Sequence, residues 1–225
     1  VLLGRLVEAA AALAPLDAQG LPPLVVATTE LIRAELALRA LHTAAARVAL
    51  ELAQQAAEQS GIAALVAEVA HTRTALERPA ARLLSNQAER MLRLDEVEAL
   101  LASNTLVIDA CRHGLHAGGQ WLPLTGRPVL FALVRALAHA WPGDVDRRSL
   151  IERVFRTRRS DETHRARLRV EMGRLRALVA GMAHIGATSQ GFALQPHHGR
   201  AVAVLAPPVE SEEASLLALL ADGAA

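Results

Sequence analysis

The sequence contains no lysine and no tyrosine, a single cysteine, and few aromatic residues of any kind. One cysteine excludes an internal disulfide, which fits a reducing compartment such as the cytoplasm. The longest charge-free stretch, residues 177–199, is interrupted by glycine, serine, glutamine and three histidines, so it does not have the pattern of a membrane span. We therefore expect a cytoplasmic chain that does not enter a membrane.

Recognisable catalytic motifs are also missing. The patterns GxxxxGK[ST], GxSxG, HExxH and CxxC do not occur in the sequence. Cys111 is followed by Arg112 and His113, but alternation along a strand places neighbours on opposite faces, which favours a buried structural cysteine. The pair His197 and His198 has no third metal ligand. We expect no enzyme activity, no cofactor and no metal site.

Charge is distributed unevenly along a chain whose formal net charge is only +1. Residues 1–104 carry 9 arginines against 12 acidic residues, residues 105–200 carry 15 against 7, and residues 201–225 carry none against 4. We attribute the absence of lysine to a GC-rich genome, so the placement of arginine is more informative than its number. A basic segment of this kind favours a polyanionic partner, and the alternative is a solvated arginine-rich surface.

The first 104 residues have the apolar spacing of helices throughout. The pattern predicts long helices at Leu24–Gln59 and Ile62–Glu77, a short helix starting at Pro79, and another at Leu94–Ala102. We expect an all-helical bundle over residues 1–104. Its helical hairpins resemble those of tetratricopeptide-type repeats, although no clear repeat period is present.

The period changes from helix to strand after residue 104. Thr105–Cys111 and Trp121–Leu124 predict a β-hairpin, and Pro128 starts a helix that ends before Trp141. Asp146 is the expected N-cap of a second helix. A third helix is predicted from about Thr163 to Val179, followed by two strands within Ile185–Leu194.

The third helix separates into two faces on a helical wheel. An apolar stripe is expected to face the core, and it consists of Leu168, Met172, Leu175 and Val179. The opposite face presents small or apolar residues among arginines, namely Ala166, Arg167, Arg169, Val170, Gly173, Arg174 and Ala177. Small residues flanked by arginines let a helix approach a groove floor while guanidinium groups reach phosphates or guanine edges.

These segments together carry a resemblance to a known family. The order LPLT at 122–125, DVDRRSLIERVF at 144–155, RLRVEMGRLRALV at 167–179 and GFAL at 191–194 resembles the OmpR/PhoB-type winged-helix domain of bacterial transcription regulators. The resemblance covers residues 105–196. It implies that the third helix enters the major groove of DNA, with Val170 and Arg174 as base or backbone readers and Arg167 as a further contact.

The resemblance also implies a wing, with its tip at Thr188–Gly191, that touches the adjacent minor groove. Two features differ from the family pattern. The wing has no arginine before its glycine-aromatic pair, and Glu171 stands where a basic or polar reader is common. The first half lacks the βα alternation of a receiver domain, so control by phosphorelay is not expected.

We expect three parts: a helical bundle at 1–104, a winged helix-turn-helix domain at 105–200, and an acidic tail at 201–225. The fold class is therefore mainly α with a small β component. In the tail, the strand-like AVAVL precedes an amphipathic helix at Glu210–Leu220, which docks on its own domain or opens a further domain that is truncated here.

The expected function is that of a bacterial DNA-binding transcription regulator. Double-stranded DNA is the expected partner, and RNA polymerase or another protein is a further candidate. The helical bundle would supply dimerisation, giving a homodimer, or would sense an effector or partner. The alternative is a protein interaction scaffold whose winged helix no longer binds DNA. The expected DNA contacts are Arg147, Arg148, Arg158, Arg159, Arg167, Arg169, Val170 and Arg174.

Overall fold

The protein was analysed as a computed structural model, which describes residues 6–13, 20–85, 89–157 and 161–209. The fold mixes helices and strands, with helix as the larger part. The described residues divide into two compact units. The first, here called the helical unit, holds the described residues up to 80 and residues 92–99; the second, here called the mixed unit, holds residues 81–91 and those from 100 onward.

The helical unit is built from four successive helices and the start of a fifth. They are α1 (Leu6–Leu13), α2 (Pro23–Arg39), α3 (Thr43–Ser60), α4 (Ala63–Glu77) and α5 (Leu94–Ala102). Proline at the first position of α2 fixes φ at a helical value, and Gly61 ends α3 in the left-handed conformation (φ 68°). Alanine dominates the buried contact of α2 with α3, which lets the two backbones approach closely.

The prediction of one helix at Leu24–Gln59 is wrong, because the chain breaks between α2 and α3. Leu41 adopts a positive φ of 55° at the break. The Glu98 carboxylate of α5 accepts hydrogen bonds from the backbone N–H of Thr43, at 3.0 Å, and from its hydroxyl. These bonds satisfy donors at the new N-terminus, and they come from a residue distant in sequence. Val48 and Leu52, which the periodicity assigned to an apolar face, are 59% and 45% exposed.

The mixed unit contains a six-stranded sheet with the order β2-β1-β9-β3-β4-β5. Its strands are β1 (Ala81–Leu84), β2 (Glu89–Leu92), β3 (Thr105–Asp109), β4 (Gly114–Ala117), β5 (Gln120–Pro123) and β9 (Ala201–Ala206). The last residue of β2, Leu92, is grouped with the helical unit. Strands form at both predicted segments, as β3 and β5, but the predicted hairpin between them is wrong, because the additional strand β4 lies between them and pairs with each.

Two expectations about this sheet need correction. The segment after Pro79 forms the strands β1 and β2, so residues 1–104 are not helical throughout. The predicted strand AVAVL does form, as β9, but it lies inside the sheet, antiparallel to β1 and parallel to β3. The residues that follow it, including the expected helix at Glu210–Leu220, lie outside the described residues.

Three helices and a second, three-stranded sheet complete the mixed unit. The helices are α6 (Pro128–Ala140), α7 (Arg147–Phe155) and α8 (Glu162–Val179). The strands β6 (Asp144–Asp146), β7 (Ala183–Ala187) and β8 (Gly191–Pro196) form a sheet of order β6-β8-β7. A 3₁₀ turn at His197–Gly199 leads from β8 to β9. One apolar core joins these helices to both sheets.

Candidate nucleic-acid interface

Helices α7 and α8 begin at aspartate caps, which fix where their arginines lie. Asp146 accepts a hydrogen bond from the backbone N–H of Ser149 at 2.9 Å, as predicted, and Asp161 accepts one from that of His164 at 2.8 Å. These hydrogen bonds favour the ionised carboxylates and lower the pKa of both groups. Arg147 and the following residues therefore start α7 directly after the cap.

The buried stripe predicted for α8 is confirmed. Leu168, Met172, Leu175 and Val179 are at most 3% exposed and pack in the core of the mixed unit. The residues on the opposite side are exposed, and they include Ala166, Arg167, Arg169, Val170, Gly173, Arg174 and Ala177. The apolar side chain of Val170 is 53% exposed. The core contacts thus leave the arginine-bearing face of α8 open.

Gly173 lies within α8, where glycine is unfavourable. Apart from the backbone of α8 itself, no atom of the described residues lies within 4 Å of a Cβ built at this position. Glycine in a helix interior costs about 1 kcal/mol relative to alanine. Packing against the described residues therefore does not explain the glycine.

The exposed arginines are held by weak contacts. Arg148 pairs with Glu152 at 2.6 Å, and Arg174 pairs with Glu171 at 3.0 Å. The Arg148 and Arg174 side chains are nevertheless 76% and 65% exposed. The pair of Arg148 with Glu152 is the more exposed of the two and contributes about 0–1 kcal/mol, so a phosphate can replace Glu152 at little cost. Glu171 is less exposed, so its loss of Arg174 as a partner costs more.

Glu171 does not lie on the open face of α8 as the family pattern suggested. Its side chain is only 15% exposed and is paired with Arg174. It lines a groove of about 680 Å³ between α8 and the start of α6, together with Arg127, with Arg174 and Ala177 from the edge of the open face, and with other mainly apolar residues. Repulsion between Glu171 and a ligand on the open face is therefore reduced.

Aromatic rings position two of the predicted arginines. The guanidinium carbon of Arg167 lies 4.5 Å from the ring centre of Phe155 at the end of α7. That of Arg147 lies 5.4 Å from the ring centre of Phe192 in β8. Such cation–π contacts orient the guanidinium group while its N–H donors stay at the edge of the ring, free to bind other acceptors.

The hairpin of β7 and β8 ends in a short turn without charged residues. The terminal nitrogens of Arg147 donate to the carbonyl oxygens of Thr188 and Ser189, each at 3.3 Å. The Thr188 hydroxyl donates to Asp144 at 2.5 Å. At the base of the turn, a Cβ on Gly191 would lie 1.8 Å from the Val145 carbonyl oxygen, so only glycine fits. The turn is thus fixed against β6 and α7.

A cavity of about 410 Å³ lies between α7, α8 and β8. Its walls include four arginines from two helices, Arg147, Arg148, Arg165 and Arg169. Its floor is formed by Ile151, Leu168 and Phe192, which are 1%, 3% and 9% exposed. We call this the arginine cavity.

Three of the four arginines of the cavity, Arg147, Arg148 and Arg169, are among the DNA contacts predicted from the sequence. Arg165 and Phe192 were not among the predicted contacts. The wheel of α8 alone places Arg165 near the edge of the buried stripe, and Phe192 comes from another element. The predicted contacts Arg158 and Arg159 lie outside the described residues.

The described residues that line the arginine cavity include neither Cys111 nor the possible metal ligands His197 and His198. Burial raises the pKa of the Cys111 thiol to about 12, so the neighbouring Arg112 does not activate it. Among the residues that the structure describes, no three His, Cys, Asp or Glu side chains are grouped to hold a metal ion. Nor does any described helix combine the length and apolarity that crossing a membrane requires.

The sequence and the structure were compared with known protein families, curated proteins and solved structures. No family model matches the chain, and no curated protein or solved structure matches it.

Proposed function

We propose that the mixed unit is a winged helix-turn-helix domain and that the protein is a DNA-binding transcription regulator of the bacterial cytoplasm. In this proposal α7 and α8 are the helix-turn-helix pair, α8 is the recognition helix, and β7 with β8 is the wing. The order of strands, three helices and a final hairpin supports it, as does the resemblance to the OmpR/PhoB-type domain.

The observation that carries the proposal is the open face of α8. It combines small residues, including an otherwise unexplained Gly173, with Arg167 and Arg174 on one exposed surface. A helix that lies in the major groove needs small residues toward the groove floor and long cationic ones toward phosphates and guanine edges. Val170, exposed on the same face, has the chemistry to contact a thymine methyl group.

The helical unit is proposed to dimerise the protein or to sense an effector or partner. One winged helix reads few base pairs, and two linked copies raise affinity by reading paired half-sites. A homodimer is therefore the proposed DNA-binding form, and RNA polymerase is a candidate further partner.

Charge reversal on α8 tests the proposal. We expect Arg167→Glu combined with Arg174→Glu to abolish measurable binding to duplex DNA in a fluorescence anisotropy assay. The matched control is Arg153→Glu combined with Arg135→Glu, which changes the net charge equally at arginines outside the proposed interface. Circular dichroism and thermal unfolding of each variant establish that the fold is kept.

A protein interaction scaffold is the second candidate. The uncharged wing turn favours it, because the turn residues Thr188, Ser189 and Gln190 carry no cation of their own that could reach a minor groove. If the α8 variant and its control bind DNA equally well, or if the unmodified chain does not bind DNA, the scaffold is the better account.

A further inference from the structure

The arginine cavity gathers positive charge around an apolar floor. Arg147 and Arg148 come from the first turn of α7, and Arg165 and Arg169 from the first half of α8. No acidic residue is among its described lining residues. Like charges brought together repel, so the stability of the folded chain does not account for this arrangement of arginines.

The carboxylates near these arginines neutralise them incompletely. Arg148 pairs with Glu152 at 2.6 Å, and its side chain stays 76% exposed. Glu162 is shared between Arg165, at 3.4 Å, and Arg169, at 4.0 Å, and its side chain is 74% exposed. Each guanidinium carries five N–H donors, far more than one shared carboxylate accepts at these distances. The Arg165 and Arg169 side chains are themselves 62% and 77% exposed, so they can turn toward a ligand.

We propose that the arginine cavity binds a phosphate group, which Arg148, Arg165 and Arg169 hold through their guanidinium groups. A phosphate offers several acceptor oxygens, and the planar fork of arginine fits two of them at once. The buried floor of Ile151 and Leu168 excludes water from one side of the ligand. The lower local dielectric strengthens the attraction between phosphate and guanidinium.

The phosphate has two sources that share this chemistry. It is a phosphodiester of the DNA backbone, which rests on the proposed function, or it belongs to a free phosphorylated compound. The cavity lies beside the open face of α8, since Arg169 lines the cavity and is followed by Val170 on that face. A backbone phosphate would then fix the depth and angle of α8 in the groove.

A measurement without DNA tests the phosphate site. Inorganic phosphate is titrated into the full chain at constant ionic strength, with chloride as the balancing anion, and thermal unfolding is followed. We expect a saturable rise in Tm for the unmodified chain and for the control Arg153→Gln. Phosphate affinity should fall at least tenfold in Arg165→Gln combined with Arg169→Gln. An unsaturable rise, or an equal rise in the double variant, overturns the inference.

A second arm with duplex DNA separates the two sources. If the ligand is a backbone phosphate, the double variant reduces the slope of log K against log salt by about 0.9, because one phosphate contact is lost. If phosphate binds while the DNA affinity of the double variant is unchanged, the ligand is a free phosphorylated compound. If the chain binds phosphate but not DNA, this inference holds and the proposed function is refuted. If it binds DNA but shows no saturable phosphate binding, the proposed function holds and this inference is refuted.

Discussion

Replacement of Gly173 by alanine should make the protein more stable. The helix interior favours alanine over glycine by about 0.5–1 kcal/mol, and the added methyl group meets no atom within 4 Å. For a chain of this size, 1 kcal/mol corresponds to a rise in Tm of about 2–4 °C. Urea denaturation followed by circular dichroism measures the free energy of unfolding.

The reverse change on the same face is the matched control. Ala177 is exposed in α8, and Ala177→Gly should lower the free energy of unfolding by a similar amount. A loss of stability in Gly173→Ala would show that the glycine has a role inside the chain, and the argument from its open surroundings would be refuted.

A larger side chain at the same position separates stability from DNA binding. Gly173→Leu should stay folded, because leucine is a good helix former and the position is open. It should weaken binding to duplex DNA by about tenfold or more, comparable to the loss of a base contact, because the side chain holds α8 away from the groove floor. Unchanged DNA affinity in a folded Gly173→Leu variant would refute close approach by this face.

Three further predictions concern the surroundings of the site and the cysteine. Gly191→Ala should destabilise the protein by about 3 kcal/mol in thermal unfolding, since its Cβ would overlap the Val145 carbonyl oxygen; an unchanged Tm would contradict the close approach of β6 to β8. Asp146→Ala should cost about 1 kcal/mol at pH 7 through loss of the cap on α7. Because the folded pKa of Asp146 lies below its ordinary 3.8, its contribution is present above pH 3.8 and disappears as the pH falls through the folded value, so denaturation curves of variant and unmodified chain should converge in acid. Cys111 should resist alkylation at pH 8 until the chain is denatured, because raising the thiol pKa from 9.0 to about 12 reduces the thiolate about a thousandfold; rapid labelling of the folded chain would contradict its burial.

The parts of the fold that depend on local sequence were predictable. The helices α6, α7 and α8 follow from apolar periodicity and from caps that lie next to them in sequence, such as Asp146. The buried stripe of α8 follows from the same periodicity. Because the buried face was assigned correctly, the opposite face with Val170 and Arg174 was also identified as exposed.

The parts that depend on distant residues were not predictable from local pattern. The strand β1 is only four residues long and pairs with β9, more than a hundred residues later. The N-terminus of α3, just after the break from α2, is capped by a carboxylate that α5 supplies. The arginine cavity combines α7, α8 and β8, so Arg165 and Phe192 become neighbours only in the folded chain.

The salt dependence of duplex DNA binding tests the central proposal most directly. Fluorescence anisotropy of a labelled duplex gives the binding constant at several salt concentrations. Each phosphate contact contributes about −0.9 to the slope of log K against log salt. With the arginines of α7 and α8 on the backbone, we predict a slope of about −3 to −6. Absence of binding at low salt, or a slope near zero, would contradict the proposal that this face of the protein docks on DNA.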